Sequence, residues 1–550
     1  MSVFALLIFA IGLAFTKTGS KSGQAFFEAG GETPWWINGL SLFISYFSAG
    51  TFVVWGSIAY KHGLVANAIQ LTMAISGLIV ALFIAAKWKR TKTKTAAEYI
   101  GKRFGTGAQQ FYTCLILILS IVNTSAVLYP VGKMVYVATP FSLNQCIIAI
   151  GVIIVLYTAA GGLWAVLVTD VVQFIILMAA VIAVIPAAFS EIGGTANFFG
   201  KAPENFFEPF TSDYTAGFML AFIAYQTVYI GGNWAYVQRY TSVSTERNAK
   251  KAAYLFFILY LLCPFVWMLP PMIYRLINPD LQGLEPEGAY MMLCQKVLPA
   301  GLIGLVLSGM ISATSSKANT TINLAAAVFA QDVYKSVFRP SASEKEQIYI
   351  ARLLTLIFGG VAIALAMLVP YAGGIVEVVL SIAAIAGGAL FAPIIWSLYS
   401  KRQTSASVIV ATVLALFINL FFKVIAPSLL GLKFNRTLET LLGVGLPLVI
   451  LWAFECYYVF KGSIAHGASV MDEHIKEKKR SERMAEDRRE QAKQQNHFGI
   501  RVIILSSAAV GLGILILGLI SDDQQAVIGV GISVLSLSLF GIYKTRRLGN

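Results

Sequence analysis

The chain has 550 residues, of which 57% are hydrophobic and only 12% charged, with 41 Lys and Arg against 27 Asp and Glu for a net charge of +14. A soluble domain carries roughly 25% charged residues, so this composition excludes a string of soluble domains and points to an all-α polytopic membrane protein. The positive surplus bears first on membrane topology, and a nucleic-acid partner is set aside.

A helix needs about 20 mostly apolar residues to cross the ~30 Å hydrocarbon core. Residues 1–15 read as a short first span, because they lack the basic leader and small-residue cleavage site of a signal peptide. The spans that follow are 36–60, 63–86, 107–135, 142–159, 164–188, 215–238, 252–274, 299–331, 353–370, 374–399, 404–427, 437–460, 502–520 and 525–542, fifteen in all. The order divides into an N-terminal helix and loop (1–35), five spans (36–188), an outer loop (189–214), five more spans (215–399), two accessory helices (404–460), a charged segment (461–501) and a C-terminal pair (502–550). With the N-terminus outside, the cytoplasmic segments hold 32 Lys and Arg against 14 Asp and Glu, and the outer segments 8 against 10. That asymmetry predicts a multi-pass protein of the plasma or inner membrane with a cytoplasmic C-terminus.

Residues 87–106 form a basic cytoplasmic loop with a short amphipathic piece. In 461–497 opposite charges alternate at i,i+3 and i,i+4, which suits a solvated helix serving as a connector, with a partner-docking helix as the alternative. His466, His474 and His497 are too dispersed there for a metal site, and the five cysteines are scattered packing residues. Two spans are interrupted: Ser48, Ala49, Gly50 and Thr51, then Gly56, weaken 36–60, and Gly231, Gly232 and Asn233 weaken 215–238. These are the first spans of the two five-span sets, and paired broken helices at corresponding positions mark solute and ion sites in transporters.

Span 299–331 carries Ser308, Ser312, Ser315, Ser316, Asn319, Thr320 and Asn323 at spacings of three and four, a polar stripe on one helix face. Packing of small residues gives such a stripe too. Lys317 lies within it, and a lysine at membrane depth calls for a partner. Asp170, a short way into span 164–188, is the expected partner, in a structural or functional ion pair. Glu377 and Glu455 fall near helix ends. The chain has no HExxH, Walker A or GxSxG motif, so neither an enzyme nor a cofactor is expected.

The run from Tyr157 to Gln173, YTAAGGLWAVLVTDVVQ, resembles the YTxxGGxxAVxxTDxxQ signature of the sodium:solute symporter family. Phe26, Phe27, Glu28, Ala29 and Gly30 are similar to that family's FFxAGR motif, with Gly31 replacing the arginine. Gln238 and Arg239 match its QR motif, and Asp332, Val333 and Tyr334 its DxY motif. The resemblance covers roughly residues 25–460. It implies a leucine-transporter-type fold of two inverted five-helix repeats, with one extra N-terminal helix and about four extra C-terminal helices. It further implies a secondary active transporter of a small polar organic solute, working by alternating access with sodium as the coupling ion.

A gapless match from Asp332 places the family's sodium ligands at the carbonyls of Ile44, Phe47 and Ala313, at Ser316, and at position 317. There the usual Ser or Thr is Lys317, and an ammonium does not ligate sodium. Some members hold a second sodium near the Asp170 position, where Asn319 and Thr320 fall on the stripe. Three readings stand: Lys317 replaces the ion in a sodium-independent carrier, it couples protons instead, or the register shifts so that Ser315 and Ser316 form the hydroxyl pair. The implied solute contacts are Tyr46, Thr51, Gln70, Asn123, Tyr229, Asn233 and Trp234. The sugar branch's Glu/Gln pattern is missing from the first broken span. A transporter-like solute sensor is the alternative from another class.

Overall fold

The computed structural model describes residues 33–158, 163–482, 487–520 and 525–547. The first expected span, 1–15, the stretch 26–31 and the glycines Gly161 and Gly162 lie outside them. Side chains from 156 to 169, and those of Ser316, Asn319, Thr320, Asn323, Asp332 and Val333, do so too.

Among the described residues the chain is helical, with one isolated parallel bridge between Thr33 and Val243. The first broken span is α1 (Trp35–Ile44), an irregular stretch at 45–48, and α2 (49–62). It is followed by α3 (Val65–Arg90), the short α4 (Ala96–Phe104), α5 (Thr106–Ala138), α6 (Leu143–Thr158) and α7 (Leu163–Glu191). The second set repeats the pattern: α8 (Ala216–Gly232), a break at Asn233, α9 (Trp234–Thr241), α10 (Glu246–Ile277), α11 (Ala300–Val328), α12 (Glu344–Leu368) and α13 (Ile375–Ser397). Four helices complete the bundle's flank: α14 (Ser405–Leu429), α15 (Arg436–Phe460), α17 (Asp487–Ile520) and α18 (Gln525–Arg547), with α16 (His466–Glu482) lying before the last two. Nine helices among the described residues are long and apolar enough to span a bilayer. Phe83, Ile153, Leu262, Phe417, Val449 and Trp452 all point outward at more than half exposure, an apolar belt that hydrocarbon covers and water does not.

The basic loops gather at one end of the bundle. There Lys89 donates to the Thr241 carbonyl at 2.8 Å, Arg90 pairs with Glu246 at 2.7 Å, and Arg103 donates to the Ser400 carbonyl. Glu455 accepts from Ser400 and Gln403 at this end, while Glu377 at the opposite end pairs with Lys423 at 2.8 Å.

Three details differ from the sequence-based expectations. The first break lies at 45–48, about one turn earlier than Ser48–Thr51, and Gly50 and Gly56 are both helical, because the hydroxyl of Thr51 satisfies the Tyr46 carbonyl at 3.1 Å and lets the helix resume at once. Within 461–501, residues 466–482 and 487–501 are helical, but α16 is not fully solvated. Lys401 pairs with Asp472 at 2.6 Å, His474 is only 8% exposed, and Gly467 lies so close to the Arg103 carbonyl of α4 that a side chain there would collide with it. Arg239, counted above with the cytoplasmic charge, is buried at 2% exposure.

Candidate functional site

The two breaks face each other at the centre of the bundle. At the first, the Ser45 hydroxyl donates to the Ser41 carbonyl at 2.7 Å, and the Ser48 amide donates to the Thr51 hydroxyl at 3.2 Å. At the second, Asn233 leaves the helical region (φ −61°, ψ 128°) and its side chain caps α9 by accepting from the Ala235 amide at 3.0 Å. Buried carbonyls released by a break must find donors. Trp88 donates its indole N–H to the Gly231 carbonyl at 2.7 Å, and the Tyr240 hydroxyl donates to Ile230 at 3.2 Å. Gly232 permits the crossing with α13, since a Cβ there would come within 2.7 Å of the Phe391 Cβ.

Two adjoining cavities meet between the breaks. The first is bounded by Ile44 and Ser45 at the end of α1, by Asn233 at the second break, by Trp234 and Arg239 of α9, and by Asp170, Ala313 and Lys317. The second is bounded by Tyr46, Thr51, Trp55, Tyr225, Gln226 and Lys317. Asn123, Val127, Tyr229, Tyr236 and Lys317 line both and mark the junction.

Of the expected ion-site residues, Ile44, Ala313, Lys317 and Asp170 therefore share one cavity. Phe47 is fully buried beside it, its ring stacked on Trp267 at 4.3 Å. Of the expected solute contacts, Tyr46, Thr51, Asn123, Tyr229, Asn233 and Trp234 line one or both cavities. Gln70 lines neither; it is fully buried and accepts from the Trp267 indole at 2.9 Å.

Asp170 takes a cation that the sequence reading did not assign to it. Its carboxylate accepts from the Ser41 hydroxyl at 2.5 Å and faces the Arg239 guanidinium at 3.9 Å. Arg239 also donates to Ser41 at 3.3 Å and to the Ala235 carbonyl at 2.8 Å. This triad ties α1, α7 and α9 together on the cavity wall. Nearby, Thr33 and Asn38 both bond Ser242, at 2.8 and 3.0 Å, and hold the start of α1 to the end of α9. Gln173, the last residue of the signature, donates to Ser312 on α11 at 3.0 Å and docks the polar stripe on α7. Sequence reasoning also missed Ser41, Tyr236 and Gln226 as site residues. Tyr236 lies one turn before Arg239 on α9, and the QR motif was the available signal for that turn.

Two facing broken helices around a central polar cavity, each opening a set of five, define the leucine-transporter-type architecture. The sodium:solute symporter family pattern matches residues 26–415, and the chain belongs to that family. It is 27% identical over 396 residues to sodium/myo-inositol cotransporter 2 of Oryctolagus cuniculus, covering 64% of this chain and 58% of that protein. It is 26% identical to the sodium/glucose cotransporter of Vibrio parahaemolyticus, covering 77% and 84% respectively. Among solved structures, a Na+-coupled sialic acid symporter in a substrate-bound outward-open state superposes with a TM-score of 0.68 at 21% identity, covering 81% of this chain and 94% of that one. The alignment spans less than two thirds of the myo-inositol cotransporter.

Proposed function

We propose that this chain is a secondary active transporter that moves a small polar organic solute across the membrane by alternating access, with sodium as the coupling ion of its family. The observation that carries the reading is the pair of facing helix breaks with Asn123, Tyr229 and Tyr236 shared by both cavities. Breaks of this kind expose backbone dipoles to a solute and an ion at mid-membrane. The basic end is read as cytoplasmic, in a plasma or inner membrane, by the distribution of Lys and Arg.

A second reading, a sodium-independent or proton-coupled carrier, is favoured by one observation. Lys317 lines the same cavity as Ile44 and Ala313, the positions the family uses to hold an ion. Solute uptake into proteoliposomes under a sodium gradient, under a pH gradient and under neither separates the readings, for wild type and Lys317→Ser. Wild-type uptake that rises steeply with sodium alone supports the first. Uptake indifferent to sodium, with sodium dependence appearing in Lys317→Ser, supports the second. Binding without uptake under any gradient would refute transport.

A further inference from the structure

The charged groups bounding the first cavity among the described residues are Asp170, Arg239 and Lys317; the second cavity has Lys317 alone. Asp170 and Arg239 face each other, and Arg239 spends further donors on Ser41 and Ala235. The cavity walls therefore carry one positive charge beyond this pair, and it sits on Lys317. Among the described residues no side-chain acceptor lies within bonding distance of its ammonium. Its backbone carbonyl is engaged, accepting from Thr321 at 2.8 Å.

Lys317 is 17 residues into the 29-residue α11, about 25 Å from its start at 1.5 Å per residue. A cation that deep is costly to leave unpaired, and the cost rises when the cavity closes over it and water leaves. A neutral solute makes closure worse, because it displaces water without supplying charge. A monoanion removes the penalty, and Asn123, Tyr229 and Tyr236 stand at the same junction to bond the rest of the solute.

We propose that Lys317 is the anion-recognising residue of the transport site and that the solute carries a single carboxylate. This rests on the transporter reading and sharpens it. Myo-inositol and glucose, for which relatives are named, are uncharged, so the inference separates this chain from those relatives in the charge of its solute.

The test is ligand-induced thermal stabilisation of the purified full-length protein, followed by titration calorimetry. The probes are pairs of a carboxylate and a related neutral compound: L-lactate against lactamide, and N-acetylneuraminate against N-acetylmannosamine, with pyruvate and myo-inositol as further single probes. At least one carboxylate is expected to raise the unfolding midpoint while its neutral partner does not. Removing one partner of a buried, hydrogen-bonded charge pair weakens binding by about 30-fold or more. Lys317→Met should raise the Kd of that carboxylate by this factor, and Lys317→Arg should keep the preference for carboxylate over neutral partner. Lys61→Met, at an exposed lysine, should change neither. Equal binding of both members of each pair, no response to any carboxylate, or an unchanged Kd in Lys317→Met would each overturn the inference. The wild-type comparison holds even if Lys317→Met fails to fold. Carboxylate binding without uptake in proteoliposomes would uphold the inference and sink transport. Gradient-driven uptake of myo-inositol without a carboxylate response would do the reverse.

Discussion

Arg239→Met tests whether the triad on the cavity wall is an ion pair or a set of neighbours. Asp170 and Arg239 are 1% and 2% exposed, and the direct N–O separation of 3.9 Å is long for a hydrogen-bonded pair. The Ser41 hydroxyl bridges them, donating to Asp170 at 2.5 Å and accepting from Arg239 at 3.3 Å. Removing one member of a buried ion pair costs about 3–5 kcal/mol, since the other charge is left uncompensated. Asp170 keeps its Ser41 bond in the variant, and a hydrogen bond inside a membrane bundle is worth roughly 1 kcal/mol. The expected loss is therefore near the lower limit, about 3 kcal/mol. Asp170→Asn leaves Arg239 with Ser41 and the Ala235 carbonyl but no counter-charge, so a comparable loss follows. The double variant Arg239→Met/Asp170→Asn removes both charges and should recover to within about 1 kcal/mol of wild type. Equilibrium unfolding in mixed micelles, read by tryptophan fluorescence, gives the four free energies of the cycle. A double variant as unstable as the sum of the two singles would show no coupling and refute the ion-pair account.

Other expectations concern the helix breaks, the helix crossings and the basic end. Trp88→Phe removes the donor from the Gly231 carbonyl, and a buried carbonyl left unpaired costs about 1–3 kcal/mol; the same unfolding assay reads it. Gly388→Ala places a Cβ against the Gly443 carbonyl of α15, a backbone atom that cannot swing aside, so the α13–α15 crossing must open; a loss of at least ~1–3 kcal/mol is expected, with a lower thermal midpoint. Burial, aided by the Lys102 charge, holds the His474 imidazole below its usual 6.5, while Glu98 opposes the shift. The folded protein thus binds fewer protons than the unfolded one just below pH 6.5, so α16 docking is fully stabilised above that value and weakens as pH falls towards the lowered folded pKa. Hydrogen exchange across 466–482 should quicken on acidification, and His474→Gln should flatten the response; exchange independent of pH in wild type would count against it.

Much of the helix order was legible because hydrocarbon imposes one simple requirement, a long apolar run for each crossing. The second break was legible too, since Asn233 follows two glycines inside such a run, while the first was placed about one turn late on glycines that stay helical. The exact break at 45–48 was not legible, because it depends on the Thr51 hydroxyl reaching back to the Tyr46 carbonyl, a contact formed only once the turn exists. Asn123 and Tyr229 could be picked out as polar groups in apolar spans. Gln70 has the same signature, yet it serves the Trp267 indole away from both cavities. A polar residue in a span must be satisfied by something, and composition does not say whether that is a solute or a neighbouring side chain.

Arg239 shows the sharper form of this problem. In a continuous span ending near 238, an arginine at 239 sits at the membrane surface and counts as topological charge. The break at Asn233 redirects the chain, so that α9 runs alongside α1 and carries Arg239 inward to Asp170. The same event leaves Lys317 without the acid that depth alone had suggested for it. Charge in this bundle is thus apportioned by the breaks rather than by hydropathy. The cation that Asp170 does not absorb lies where the two cavities meet, so the mechanistic weight of Lys317 follows from the position of Arg239, which only the folded chain reveals.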